Sequence, residues 1–268
     1  MSKKTLPIGI FDSGIGGLTV MQEITRVLPG EDIVYLGDTA RVPYGTKSKE
    51  TVIKYSLENA EFLTSCGIKL LVVACNTASA YALKELSSRV SVPVVGVIEP
   101  GASMAVGITR TKKVGVIGTE GTIRSGAYFE AIKKIDSKVV VYLKACPLFV
   151  PLAEEGWTDN QVAYLTATAY LESFTEEGID TLVLGCTHYP LLKRTIKRVL
   201  GEDVVLIDSA EATSYEVRRV LTEHKLLRTR STRGRYKFFV TDSPHRFQYV
   251  GARFFNAPIK ARLVSIGN

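Results

Sequence analysis

Two stretches of this 268-residue chain, 111 positions apart, carry one pattern, and that repeat constrains the fold more than any single element. Laying LTSCGIKLLVVACNT (63–77) over FTEEGIDTLVLGCTH (174–188) aligns Gly67 with Gly178, Ile68 with Ile179, Leu71 with Leu182, Val72 with Val183 and Cys75 with Cys186. At an offset of 106, IGIFDSG (8–14) lies over VGVIGTE (114–120) and pairs Ser13 with Thr119. Self-similarity at a near-constant offset marks a duplicated unit. Coincidence among common apolar residues is the alternative, but it does not explain why both copies end a β-branched run in cysteine.

Short β-branched runs alternate with longer segments of helical period, the pattern of a parallel sheet joined by crossover helices. The runs predict strands near 7–11, 33–36, 70–74, 94–98, 114–118, 138–142, 181–185 and 204–207, with two more around 236–241 and 261–266. The clearest helix covers 159–176. Val162, Leu165, Thr166, Ala169 and Phe174 should form its apolar side, with Gly178 as its stop signal. The expected fold class is α/β: two similar parallel-sheet lobes related by a pseudo-twofold axis, with a site in the cleft between them. Lobe one would be discontinuous, 1–97 plus 208–268, and lobe two would be 98–207. VIEPGA (97–102) and IDSAEA (207–212) would then be the hinges. Ligands of open parallel sheets bind beyond the C-terminal ends of the strands, so two facing lobes would share one cleft.

Composition enters only to exclude. With 46% hydrophobic and 23% charged residues the chain is not disordered. Its apolar runs are too short to span a bilayer, and the start MSKKTLPIGIFDSG has no secretory apolar core. A cytoplasmic protein with reduced thiols is expected, because four scattered cysteines with no C-x-x-C are not a disulfide framework. The formal charge of +7 and the cluster Arg228, Arg230, Arg233, Arg235 and Lys237 raise a nucleic-acid reading. No recognition motif accompanies the cluster, and a general positive field equally favours an anionic substrate.

The strand ends carry the chemistry. FDSGIGGLT (11–19) fails the dinucleotide fingerprint because position 19 is Thr, but its small residues let backbone N–H groups and the Ser13 hydroxyl converge on a carboxylate. Asp12 beside them suits an ammonium or a proton. GDTARVPYG (37–45) reads as a loop over the same edge, with Tyr44 and Gly45 able to close on a ligand. ACNTAS (74–79) places a thiol, an amide and a hydroxyl at a helix start, where a thiol pKa is expected to fall. GCTHYP (185–190) places a thiol, a hydroxyl and an imidazole at the matching point. One buried cysteine is ordinarily inert packing; two at equivalent strand ends are not. Cys66 and Cys146 are expected to be packing residues. A zinc site would need a third ligand beyond Cys186 and His188, and only Cys75 offers one, so no metal is expected.

Inverting a stereocentre beside a carboxylate means removing a weakly acidic proton from one face and delivering one to the other. Two groups, one protonated and one not, do this and exchange roles in reverse. A pseudo-twofold repeat presents such a pair from opposite sides. Asp12 near Cys75 and His188 near Cys186 are the helpers by sequence.

IGIFDSGIGGLTV, GDTARVPYG, VVACNTAS and LVLGCTHYPLL resemble the signature segments of the glutamate racemases, within the aspartate/glutamate racemase family, over residues 7 to about 210. The resemblance implies a racemase free of cofactor and metal that interconverts L- and D-glutamate and supplies D-glutamate for peptidoglycan. Cys75 would abstract the α-proton of D-glutamate and Cys186 that of L-glutamate. By matching position, Asp12, Ser13, Tyr44, Gly45, Asn76, Thr77, Thr119, Thr187 and His188 would line the substrate site. Asp38 and Glu154 match acidic residues that tune the thiols. The resemblance also implies a homodimer. Other readings are an aspartate racemase, a cysteine hydrolase acting through a thioester, and a nucleic-acid binder through the 228–237 cluster.

Overall fold

The computed structural model describes residues 3–229 and 232–267. Among the described residues the strands run β1 Ile8–Asp12, β2 Ile33–Gly37, β3 Leu70–Val73, β4 Val94–Gly96, β5 Lys113–Gly118, β6 Val140–Ala145, β7 Thr181–Gly185, β8 Val205–Asp208, β9 Tyr236–Val240 and β10 Ala261–Leu263. The helices are α1 Leu18–Val27, α2 Lys49–Ser65, α3 Asn76–Arg89, α4 Ile98–Ile108, α5 Glu120–Arg124 and α6 Ala127–Ile135. After them come α7 Phe149–Glu155, α8 Gln161–Glu177, α9 Lys193–Leu200, α10 Ser209–Glu223 and α11 Pro244–Phe255.

The repeat is realised in the strand order. One sheet runs β10-β9-β2-β1-β3-β4 and the other β6-β5-β7-β8, all parallel. The core order 2-1-3-4 of the first is matched by 6-5-7-8 in the second. Register follows too: Ile8 pairs with Leu70 and Val114 with Thr181, which are the two offsets of the sequence repeat. β1, β2, β3 and β7 are buried along their whole length, as parallel strands covered by helices on both faces require. β9 and β10 extend only the first sheet.

Some local expectations fail. β6 starts at Val140, later than expected, because Asp136 closes a turn by accepting from Lys138 N through its side chain and from Val139 N through its carbonyl. The last strand stops at Leu263. β4 stops at Gly96, short of the expected 98, because Val97 caps α4 and Ile98 begins it; Pro100 in that first turn loses nothing because the first N–H groups of a helix have no partner. The expected apolar side of α8 is overturned in part, with Val162 and Leu165 at 47% and 57% exposure. Ala163, Ala167, Leu171 and Phe174 are the buried stripe, spaced four, four and three, and the small alanines let α8 lie close to its neighbours. Asn160 caps this helix by accepting from Ala163 N, and Gly178 ends it at φ +66, a left-handed turn that favours glycine. Cys146 is buried as expected, but Cys66 is exposed at the end of α2.

The basic cluster lies at the opposite edge from the strand tips. Asp32, just before β2, accepts from the Arg228 guanidinium at 2.6 Å and from Arg235 N at 2.6 Å. Glu31 accepts from the buried Lys69 at 2.5 Å and from Arg228 N at 2.8 Å. Arg228 and Arg235 thus tie the segment before β9 to the base of the first sheet. Arg230 lies outside the described residues. Among the described residues, no helix is long and apolar enough to cross a membrane.

Candidate active site

Cys75 stands two residues past the end of β3, at the N-cap of α3 with extended backbone, its carbonyl accepting from Ser79 N at 2.8 Å. Its Sγ lies 3.7 Å from Ser13 Oγ, and Ser13 follows the tip of β1, the strand paired with β3. Cys186 directly follows β7, the strand equivalent to β3, and its Sγ lies 3.8 Å from His188 Nδ1. Only 7% of Cys75 and 6% of Cys186 is exposed.

Several contacts place these strand ends against one another. Tyr128 donates its hydroxyl to Asn76 Oδ1 at 2.7 Å, next to Cys75, and a Cβ on Gly185, next to Cys186, would lie 3.0 Å from the same ring. The hydroxyls of Thr77, Thr119 and Thr122 form a triangle with sides of 2.9, 3.1 and 3.0 Å, joining the start of α3 to the loop after β5. Thr19 donates to the carbonyl of Thr187 at 3.1 Å. The backbone also closes up where glycine allows it. A Cβ at Gly16 would collide with Thr187 Oγ1 and lie 2.5 Å from His188 Nδ1, and one at Gly45 would lie 2.6 Å from Thr119 Cβ.

The two thiols meet opposite electrostatics. Burial and the charge of Asp12 push the Cys75 thiol up to about 12, against hydrogen bonds from Ala78 N and Ser13. The fall expected from the helix start is therefore overturned, since desolvation disfavours the charged thiolate more than one helix end favours it. At Cys186 the neighbour is an imidazole. Burial works against a charged His188, but its hydrogen bonds to Cys186 and Glu154 and their charges outweigh that, pushing its pKa up to about 10. Glu154 accepts from His188 Nε2 at 3.1 Å. That bond lowers the Glu154 pKa against the pull of burial.

Asp12 is fully buried. Its Oδ2 accepts from Gly14 N at 2.9 Å, while Oδ1 has no partner, and burial raises its pKa. Asn76 Nδ2 is likewise buried without a partner. An unmet acceptor and an unmet donor, both beside the thiols, suit a ligand that carries an ammonium and a carboxylate.

Gly45 packs against Thr119 beside the strand tips, and Asp38 is bound to the loop that carries Tyr44 and Gly45. Its carboxylate takes Arg41 Nε at 2.8 Å, the Tyr44 hydroxyl and the Thr241 hydroxyl at 3.0 Å, which ties it to the loop that carries Tyr44. Asn59 donates to the same Tyr44 hydroxyl at 2.9 Å. Sequence reasoning missed Tyr128, Thr122, Thr19 and Arg246, which donates to Glu154 at 3.2 Å. The hydroxyl residues follow motifs and were within reach of the repeat; Arg246 carries no local signal. Among the described residues, no three His, Cys, Asp or Glu side chains are grouped to hold a metal ion.

The comparisons agree with this geometry. The Asp/Glu/hydantoin racemase family model matches residues 8–216. A glutamate racemase of Geobacter metallireducens is 62% identical over 252 residues, covering 94% of this chain and 93% of the relative. The crystal structure of a glutamate racemase isoform from Bacillus anthracis superposes with a TM-score of 0.95 at 43% identity, and that of Francisella tularensis glutamate racemase in complex with D-glutamate with 0.92 at 41%; each comparison covers 98% of both chains. The chain is an amino-acid racemase and belongs to the Asp/Glu/hydantoin racemase family.

Proposed function

We propose that the chain interconverts L- and D-glutamate with no cofactor, by proton transfer between two cysteines. The observation that carries this reading is the pair of buried thiols at corresponding strand tips of duplicated sheets, with Tyr128 touching the neighbour of each. From L-glutamate, the Cys186 thiolate takes the α-proton, and the electron pair is left on the carbon beside the carboxylate. Cys75 then returns a proton to the other face, leaving Cys75 as thiolate and Cys186 as thiol. D-glutamate runs the same steps in reverse.

The bound ammonium would meet Asp12 Oδ1 and the substrate carboxylate Asn76 Nδ2, satisfying the two orphaned atoms. Ser13, Thr77, Thr119, Thr187, Tyr44 and Gly45 complete the lining. A positive ammonium next to Asp12 and Cys75 also opposes the burial and the Asp12 charge that push the Cys75 thiol up to about 12 in the free enzyme. His188 holds Cys186, and Glu154 holds His188. Asp38 acts through the Tyr44 loop.

The reading carries a division into 1–97 plus 208–268 and 98–207, supported by α4 and α10, which pack on each other where the chain crosses between the sheets. It further places the enzyme in the cytoplasm as a homodimer that supplies D-glutamate for peptidoglycan. The exposed Val162 and Leu165, neighbours on α8, are apolar surface of the kind a second copy covers. The test is incubation of the purified protein with L-glutamate in deuterated water: D-glutamate bearing one α-deuterium is the expected product. Recovery of unlabelled L-glutamate would refute the reading, and parallel turnover of aspartate separates the two acids.

A further inference from the structure

Both carboxylate oxygens of Glu154 are engaged. Oε1 lies 3.1 Å from His188 Nε2, and Oε2 accepts from Arg246 Nη2 at 3.2 Å. Arg246 is on α11, between β9 and β10 of the first sheet, whereas Glu154 and His188 flank the second. A further arginine of α11, Arg253, donates to the backbone carbonyl of Glu154 at 3.3 Å. Phe254, next to it, sets its ring edge-on to the His188 imidazole with centroids 5.2 Å apart. One helix of the first lobe therefore grips the Glu154–His188 unit of the second at three points. On the other side of the cleft, Cys75 is served by Ser13 and Asp12 from within its own sheet.

Resting on the two-thiol reading above, we propose that Arg246 is a positioning residue: with Arg253 it holds Glu154 against His188 across the cleft, so that lobe closure sets the Cys186 half of the reaction and not the Cys75 half. Arg246 is half-exposed, and an ion pair of that kind adds little to stability. Its effect is on geometry. A glutamate in the last turn of a short helix has other rotamers facing water, and the imidazole keeps one tautomer and orientation only while its far nitrogen has a fixed acceptor. The charged or titratable groups around His188 are Cys186 on its own turn, Asp12 from β1 and Glu154 from α7. Beyond them, Arg246 contacts both Glu154 and Glu155, at 3.2 and 3.5 Å.

The experiment is kinetic. Enantiomers have equal free energy, so kcat/KM must fall by one factor in both directions for any variant. Arg246→Ala is expected to lower it about three- to tenfold, with Arg246→Lys recovering part and Glu154→Gln abolishing the effect of the alanine. The asymmetry appears with α-deuterated substrate. Raising only the Cys186 transition state makes the isotope effect larger from L-glutamate and smaller from D-glutamate; a general structural loss moves neither relative to the other. An unchanged rate, or isotope effects that keep their ratio, overturns the proposal. A reversed split supports the positioning role and overturns instead the assignment of Cys186 to the L face. Should the wild type fail to racemise glutamate, the imidazole titration of His188 by NMR still decides: Arg246→Ala lowers its midpoint if the proposal holds, and an unmoved midpoint defeats it.

Discussion

At the tip of β3 a thiol sits beside a buried carboxylate and a serine hydroxyl; at the tip of β7 the equivalent thiol sits beside an imidazole backed by a second carboxylate. The backbone around the two is nearly the same, down to the register of the flanking strands. What differs is charge. Asp12 and burial hold Cys75 protonated, whereas His188, with its pKa pushed up to about 10, brings a cation to 3.8 Å from Cys186. Duplication placed like residues at corresponding strand tips, and substitution of their neighbours gave the two tips opposite charge surroundings.

The most severe way to break this comparison is to remove either sulfur. Cys75→Ala and Cys186→Ala should each lower kcat by about 10³-fold or more, measured by circular dichroism of glutamate. A variant racemising near the wild-type rate would take that residue out of the mechanism.

Removing the helpers should show unequal losses. His188→Asn takes away a charge-assisted contact and should lower kcat/KM by about ten- to a hundredfold, while Ser13→Ala, losing a neutral hydroxyl at 3.7 Å, should lower it only a few-fold. Equal losses would mean the two halves are more alike than their charges suggest.

The two rims of the cleft can be wedged separately. Gly16→Ala meets the buried His188 ring and Thr187, and Gly45→Ala meets the Thr119 side chain. Overpacking costs about 1–3 kcal/mol, so each should lower kcat/KM up to about tenfold or somewhat more, with Gly16→Ala the worse because the ring cannot rotate away. Melting temperatures measured alongside separate a wedged cleft from a damaged fold.

The smallest effect is on stability against pH. The His188 pKa is near 6.5 in the unfolded chain and raised to about 10 in the folded one. Its stabilising contribution is therefore full below 6.5 and lost as pH rises towards 10. The difference in Tm between wild type and His188→Asn should shrink over that window; a difference that grows with pH would contradict a charged imidazole in the folded state.

Particular residues show where sequence reading reached and where it stopped. Cys75 and Cys186 were legible as a pair because a repeat displays equivalent positions in one dimension, and strand tips follow from short continuous β-branched runs. The buried face of α8 was not, because Val162 and Leu165 are more apolar than Ala163 and Ala167 and only close packing favours the smaller pair. Asp38 was legible as important but not as the anchor of Tyr44, since its partners Arg41, Tyr44 and Thr241 include one that is 203 residues away.

By itself the sequence determined the order of elements, the duplicated sheets and the side chains that stand at their ends, because periodicity and turn chemistry act over a few residues. Only the tertiary structure decided that Cys75 is drier and more weakly acidic than a helix start suggests. It also decided that Arg246 reaches Glu154 across 92 positions. Desolvation and charge add up over distances in space, and those distances exist only once the lobes have come together.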